Sequence, residues 1–377
     1  MSLHETLNST CFRDAGAAAH RRALFLGAGA SMRCGVGQFT GHLIERTRQA
    51  GVHPATELEL TRGEGTLADI WRAVQDADTV VCNFPIVAWK RVIVRPLLAL
   101  ALARLLGRRV VLILHEWSGL NWMRRLTYLP ALVLANSIVM FSPLVRGQLE
   151  RDGLVGWTAG RGALAPLPPN VEVPAATADS SVRQKLAAAR CEGRLVIGHF
   201  GSIYPGKQPD TLLSIGAMLK ARGQKPVMAF VGSFIRGTDS IEQDFNARAA
   251  ELGVAGDVIV SGFVASDEEL FGILSEVDVF CYRLNEGLSA RRASILAAVQ
   301  SGRPVVVTAP ADRDEFAHHP TFAALIAEGA IVLIDRDRDE GAYAQAILDA
   351  AKRETRSPKF DFAASWRDAV SAISRLY

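Results

Sequence analysis

The sequence has few cysteines, and those it has are not grouped. The five cysteines of the 377-residue chain stand singly, without the C-x-x-C spacing of zinc or redox motifs. Small secreted domains that depend on disulfides carry cysteine at a much higher density. The cysteine content therefore indicates a protein of the reducing cytoplasm.

An uncharged run long enough to cross a membrane is also missing. The most apolar segment, residues 92–114, contains Arg95, Arg104, Arg108 and Arg109, whereas a spanning helix needs about 20 consecutive apolar residues. Residues 1–20 have no apolar core behind basic residues, so we predict no secretory signal. We expect a cytoplasmic globular protein.

Aromatic residues are sparse, and charge is unevenly distributed. Aromatics make up 7% of the chain and do not interleave with the cations, so we predict no nucleic-acid partner. The net charge of +3 conceals 19 Lys and Arg against 12 Asp and Glu in residues 1–170. The densest cations of this basic half are Lys90, Arg91, Arg95, Arg104, Arg108, Arg109, Arg124 and Arg125. They could attract an anionic membrane by about 1 kcal/mol each, or simply form a solvated helix face.

Short apolar runs alternate with helix-like segments through both halves of the chain, which is typical of parallel sheets covered by helices. The predicted strands are 23–26, 79–82, 109–114, 137–141, 195–201, 226–232, 257–262, 277–282 and 304–308. The predicted helices are 36–50, 87–106, 211–221, 241–252, 267–274 and 288–300. The proline-rich segment 164–170 interrupts the alternation. We therefore predict two doubly wound α/β domains, 1–175 and 176–359, with a C-terminal helix of about 360–377 packing back on the first.

A glycine-rich turn follows the first predicted strand. Met32 stands where the dinucleotide fingerprint G-x-G-x-x-G needs its third glycine, so a nicotinamide enzyme is disfavoured. Gly35 and Gly37 lie instead at the start of the next helix, where backbone can approach a phosphate or sugar. A plain tight turn is the alternative.

Lys207 lies in a loop between a predicted strand and the following helix. Its ammonium could add to the attraction of the helix N-terminus for a diphosphate. The segment is not a Walker loop, because Gln208 stands where Ser or Thr is required. A solvated lysine is the alternative.

The segment NEGLSARRASILAAVQSGRPVVV, residues 285–307, combines a carboxylate with two cations. Glu286 follows a predicted strand, Gly287 leaves room for a ligand, and residues 288–290 offer backbone N–H groups at a helix start. Arg291 and Arg292 then oppose the helix dipole, which is unfavourable unless an anion binds there. Alternatively, they reach solvent or an acid such as Glu286.

In their order and spacing, the predicted strands of the second half and the segments that contain Lys207 and Glu286 resemble the donor domain of retaining glycosyltransferases of family 4. These enzymes have the GT-B architecture, in which two Rossmann-like domains face a central cleft. The resemblance covers residues 195–308 well. It is looser in the first half, through CGVGQFTGHLIERT, VVLILHEW, IVMFSP and PPNVEVP. It implies metal-independent transfer of a sugar from a nucleotide donor, with retention of configuration and no cofactor.

The resemblance also implies roles for individual residues. Glu286 would hold sugar hydroxyls, Lys207 would neutralise the leaving diphosphate, and His115 would lie beside the transferred sugar and acceptor. The remaining implied donor contacts are Gly35 and Gly37, the backbone of Gly287, Leu288 and Ser289, and the base-pocket rim of Gly262, Phe263 and Val264.

Two positions depart from the family. Ser202 stands where the family usually has Arg, and Ser294 stands where a second Glu usually grips the ribose. We hypothesise that Arg291 or Arg292 supplies the diphosphate charge missing at Ser202.

The sequence as a whole predicts a retaining hexosyltransferase that acts on a glycan or lipid-linked acceptor. The basic first half favours exopolysaccharide or lipopolysaccharide assembly at the inner face of the cytoplasmic membrane. Two alternatives are a non-catalytic sugar-nucleotide or glycan binder on the same scaffold and a nucleotide-sugar epimerase.

Overall fold

The computed structural model describes residues 21–28, 35–61, 65–86, 88–89, 92–235, 240–353 and 361–377. Met32, Lys90 and Arg91, which the sequence analysis singles out, lie outside the described residues.

The first half of the chain forms a six-stranded parallel sheet in the order β2-β1-β3-β4-β5-β6. Its strands are β1 (Ala23–Gly27), β2 (Ala55–Glu59), β3 (Thr79–Phe84), β4 (Arg109–Leu114), β5 (Ser137–Met140) and β6 (Gly162–Leu164). The helices of this half are α1 (Gly35–Ala50), α2 (Leu67–Asp76), α3 (Val94–Leu105), α4 (Trp122–Leu134) and α5 (Pro143–Glu150). All the residues of β1 and β3 are buried, because helices cover both faces of the sheet.

The second half repeats this plan in a sheet of order β12-β11-β10-β7-β8-β9, also parallel. Its strands are β7 (Leu195–Phe200), β8 (Pro226–Val231), β9 (Val258–Val260), β10 (Val279–Tyr282), β11 (Val305–Thr308) and β12 (Ile331–Ile334). Its helices are α6 (Ser181–Cys191), α7 (Pro209–Ala221), α8 (Ile241–Glu251), α9 (Asp267–Leu274), α10 (Ala293–Gln300), α11 (Pro320–Ala327) and α12 (Glu340–Ala351). The predicted class of two doubly wound parallel sheets is confirmed.

The differences from the sequence prediction have local causes. Strand β2 lies at a sheet edge and keeps polar, partly exposed residues, so it lacks an apolar run. Strand β6 is three residues long and ends where the proline-rich segment 164–170 begins. Helices α3 and α10 begin later than expected, at Val94 and Ala293.

The last helix, α13 (Phe362–Ser374), packs on α1 of the first half. The rings of Trp366 and Phe39 stack with centroids 5.5 Å apart, and Trp366 Nε1 donates to the Pro169 carbonyl at 3.0 Å. The chain thus returns to the first sheet after completing the second. The domain limits at 175 and 359 stay predictions.

Among the described helices, none combines the length and the apolar character needed to cross a lipid bilayer.

Candidate active site

Three neighbouring strands of the second sheet each lead at their carboxyl end to a glycine with positive φ. These are Gly201 after β7 (φ 115°), Gly232 after β8 (φ 151°) and Gly262 after β9 (φ 74°). A Cβ on Gly232 would collide with the Gly201 carbonyl, whereas a Cβ on Gly262 would meet open space. This edge is where ligands of parallel α/β sheets bind.

Lys207 is almost completely buried at this edge. It ends the short 3-10 helix Pro205–Lys207, is 7% exposed, and lies so close to Gly201 that a Cβ there would collide with Nζ. Burial, and secondarily the charge of Arg292, lowers the Lys207 pKa from 10.5 to about 7. Within the described residues, no carboxylate pairs with Lys207.

Arg292 stands immediately before α10, close to Lys207. Its Nη1 donates to the Tyr204 hydroxyl at 3.3 Å, and its Nε is buried without a partner. It too makes no ion pair in the described part of the chain. Two adjacent cations that lack an acidic partner are electrostatically unfavourable unless an anion joins them. The pair could therefore hold an anion.

Ser294 belongs to the same place, and Ser202 lies at its margin. A Cβ on Gly201 would lie 3.7 Å from Ser294 Oγ, so the hydroxyl in the first turn of α10 borders the site of Lys207. Ser202 is exposed. Of the two arginines, Arg292 is therefore the one that makes no ion pair within the described residues, whereas Arg291 pairs with acidic side chains.

Arg291 is engaged in a network that joins the two halves of the molecule. Its Nη2 donates to Glu286 Oε2 at 2.8 Å, and its Nη1 lies 3.7 Å from Glu116 Oε2, just beyond β4. Gln148 of α5 donates to the other oxygen of Glu286 at 3.2 Å. Of the two alternatives for the arginines, pairing with Glu286 holds for Arg291.

His115 lies at the carboxyl end of β4, beside this network. Its Nε2 is 3.0 Å from Asn83 Oδ1, and its ring packs edge-on against Phe39 at 5.1 Å. Burial, and then the charge of Arg291, lowers the His115 pKa to about 3. The imidazole is therefore neutral at physiological pH, and the N–H on Nε2 faces the Asn83 oxygen, which can only accept.

The backbone of residues 287–290 has a different role from the one expected. A Cβ on Gly287 (φ 75°) would collide with the Ala309 carbonyl, so the space beside it is filled by protein. Leu288 N donates to Thr308 O at 2.9 Å, and Ala290 N donates to Glu315 Oε1 at 2.8 Å. The expected helix N-terminus at Leu288 is wrong, because α10 begins at Ala293 behind the two arginines. Ser289 is buried, and its Oγ has no hydrogen-bond partner among the described residues.

The remaining predicted residues lie after β9 and at the start of α1. Ser261 Oγ accepts from Gly232 N at 3.0 Å and donates to Gly262 O, which fixes the turn after β9. Phe263 is 45% exposed, whereas Val264 packs on the core. Gly35 and Gly37 lie in the first turn of α1, and the loop before them lies outside the described residues.

Sequence reasoning missed Glu315, a buried carboxylate between the two halves. It accepts from Ser142 Oγ at 2.5 Å and from Leu144 N at 3.2 Å, both at the start of α5, in addition to Ala290 N. Burial raises its pKa. Its charged surroundings, ADRDEFAHH, are typical of an exposed loop, so no sequence signal marked it.

Similarity to known proteins agrees with this geometry. The fold is that of the GT-B glycosyltransferases, as structural comparison shows. The crystal structure of Anabaena Alr3699/HepE in complex with UDP and glucose has a TM-score of 0.60 at 16% identity, covering 95% of this chain and 96% of that chain. Sucrose-phosphate synthase (tll1590) from Thermosynechococcus elongatus has a TM-score of 0.59 at 15% identity, covering 94% and 95%. WaaG, a glycosyltransferase involved in lipopolysaccharide biosynthesis, has a TM-score of 0.55 at 14% identity, covering 94% and 98%.

The second half of the chain carries a family match. Residues 194–353 match the family described as Glycosyl transferases group 1. The narrower assignment to family 4 stays a prediction. A comparison with curated protein sequences finds no match.

Proposed function

We propose that the protein is a retaining, metal-independent glycosyltransferase that moves a hexose-type sugar from a nucleoside-diphosphate-sugar to a glycan or lipid-linked acceptor. The observation that carries this proposal is the pair of cations, Lys207 and Arg292, that lie together at the carboxyl edge of the second sheet without an acidic partner. The family match over residues 194–353 supports it, as does the UDP bound by the similarly folded Anabaena protein.

The cation pair suits the chemistry of donor cleavage. As the bond between sugar and diphosphate breaks, negative charge grows on the leaving diphosphate. Lys207, which is almost completely buried, and Arg292, which is partly buried, are already in place, so they stabilise this charge without reorganisation. Ser294 Oγ, beside Gly201, adds one hydrogen bond where the family usually has a carboxylate.

Glu286 is proposed to hold the transferred sugar, with Arg291 and Gln148 orienting its carboxylate. Both oxygens accept hydrogen bonds, one from each half of the molecule, so the carboxylate is fixed in the cleft. Neutral His115 and Glu116 form the facing wall from the first sheet. A hydroxyl of the sugar or the acceptor can donate to these acceptors.

A lipid-linked acceptor would place the first half near a membrane. The first turns of α4 expose Trp122 (66%), Met123 (57%) and Leu126 (45%), next to Arg124. Apolar side chains beside a cation favour the interface of an anionic bilayer. We therefore propose peripheral association through α4 at the inner face of the cytoplasmic membrane, in exopolysaccharide or lipopolysaccharide assembly.

One assay separates this function from its alternatives. The protein is incubated with a panel of nucleoside-diphosphate-sugars, and products are resolved by chromatography and NMR. Free sugar shows cleavage of the donor, and a glycoside of unchanged anomeric configuration supports the retaining transferase. An inverted glycoside contradicts retention, a C2-inverted nucleotide sugar indicates an epimerase, and binding without turnover indicates a non-catalytic binder. Activity that persists in EDTA supports metal independence.

A further inference from the structure

An open cavity lies at the amino-terminal edge of the first sheet, away from the proposed active site. Its volume is about 600 Å³. It is lined by the residues that precede several strands and by the end of α3, namely Arg21, Asp78, Arg104, Gly107, Arg108, Arg109 and Asn136. Because His115 and the rest of the proposed active site follow the carboxyl ends of the strands, the two sites lie at opposite edges.

The cavity carries an excess of positive charge. Asp78, its one acidic lining residue, already accepts from the backbone N of Arg22 at 2.8 Å and lies 4.0 Å from Arg108. In the described part of the chain, the partner of the Arg104 side chain is neutral, namely Asn136 Oδ1 at 3.0 Å. The exposed Arg109 makes no side-chain hydrogen bond or ion pair to any described residue.

Two further observations indicate unmet hydrogen-bonding capacity here. Among the described residues, Arg108 Nε is buried without a partner, and so is Nη2 of Arg161, which lies outside the cavity lining. Arg161 lies close to Arg104, since burial and then the charge of Arg104 lower its pKa. Crowded guanidinium groups with unpartnered N–H donors are destabilising unless an anion accepts from them.

We propose that this cavity is a separate binding site for a phosphate-bearing anion. Guanidinium groups present paired donors that match the oxygens of phosphate. The volume of the cavity is larger than one phosphate ion occupies, and it lies in the range of small-molecule sites. The anion therefore belongs to a phosphorylated small molecule or to the headgroup of an anionic lipid. The exposed side chains of Leu105 (83%) and Trp157 (64%) beside these arginines could contact the lipid in the second case.

The test uses the full chain and inorganic pyrophosphate, titrated by calorimetry. The wild-type protein is expected to bind two equivalents, one in each site. Arg109→Glu, which disturbs no described side-chain contact, should weaken one of them about tenfold or more at an unchanged melting temperature. Arg222→Glu, a charge reversal in an exposed turn of the second half, is the matched control. Equal stoichiometry and affinity in both variants would overturn the proposal.

The same measurements keep this inference apart from the proposed function. Lys207→Gln should abolish binding of the pyrophosphate at the proposed active site and leave binding in the cavity unchanged. The two sites are therefore tested independently. Sedimentation with phosphatidylcholine vesicles, with and without phosphatidylglycerol, identifies the source of the anion. Weaker binding of Arg109→Glu to the anionic vesicles indicates a lipid headgroup, whereas unchanged vesicle binding with lost pyrophosphate binding indicates a soluble ligand.

Discussion

The side chain of Gln148 donates to Glu286 at 3.2 Å and so joins the two halves of the molecule. Gln148 lies on α5, after the first sheet, whereas Glu286 follows β10 of the second. The carboxylate therefore lies where the walls of the cleft meet. A substrate bound there contacts both sheets at once.

Replacement of this carboxylate should affect turnover more than nucleotide binding. In Glu286→Gln we expect sugar transfer to fall by roughly 10- to 100-fold, because a fixed charged acceptor for the sugar is lost. Affinity for the nucleoside diphosphate alone should change by less than about threefold. Steady-state rates and calorimetry measure the two quantities. Unchanged transfer would remove Glu286 from the proposed site.

The titration of Lys207 should make nucleotide binding depend on pH. Since the pKa of unliganded Lys207 is about 7, the ammonium loses its proton as the pH rises through neutrality. A bound diphosphate favours the charged form, so binding above pH 7 takes up a proton, and affinity falls by up to about tenfold per pH unit. Calorimetry in buffers of different ionisation enthalpy measures this uptake.

Lys207→Arg is the control for that experiment, because arginine remains charged. The proton uptake and the loss of affinity above pH 7 should both disappear in this variant. Equal pH dependence in the two proteins would assign the titration to another group.

His115 should remain neutral throughout the working range. With a pKa of about 3, caused first by burial and then by Arg291, its ring should show no protonation between pH 5 and 8 in NMR spectra of imidazole-labelled protein. In Arg291→Gln the His115 pKa should rise, because a neighbouring positive charge is removed. A titration midpoint near pH 6.5 for the His115 imidazole of the wild-type protein would contradict a buried ring beside Arg291.

Glu315 should contribute to stability rather than to chemistry. Glu315→Ala leaves Leu144 N and Ala290 N without their acceptor, at a cost of about 2–4 kcal/mol. We expect the melting temperature to fall by roughly 5–10 °C. The exposed Glu328→Ala, on the C-cap of α11, is the control and should melt within about 2 °C of wild type. Equal melting temperatures for both variants would contradict the role of Glu315.

The parallel sheets could be predicted from the sequence because buried strands such as β4 and β8 are continuous apolar runs. Strand β2 could not, because an edge strand keeps polar residues. Placement of Lys207 beside the start of a helix follows from the strand-loop-helix order alone. Its pairing with Arg292 depends on how two loops fold against each other, and no local pattern encodes that.

The loop after β10 shows the limit of local reasoning most clearly. Helix periodicity extends back to Leu288, yet the amides of Leu288 and Ala290 bond to Thr308 and Glu315. These partners are distant in sequence, and tertiary hydrogen bonds decide where the helix begins. Glu116 and Gln148, which contact the Arg291–Glu286 pair, are likewise brought there by the packing of one half of the chain on the other.

The proposed diphosphate site of the cleft consists of Lys207 and Arg292. Its most direct test is calorimetric titration of wild-type protein, Lys207→Gln and Arg292→Gln with a panel of nucleoside diphosphates, with the exposed Lys185→Gln and Arg222→Gln as controls. We predict that at least one nucleotide binds the wild type and both controls equally, and binds each site variant about tenfold or more weakly, since each loses a charge-assisted contact. Equal affinity in the site variants and the controls would contradict the account.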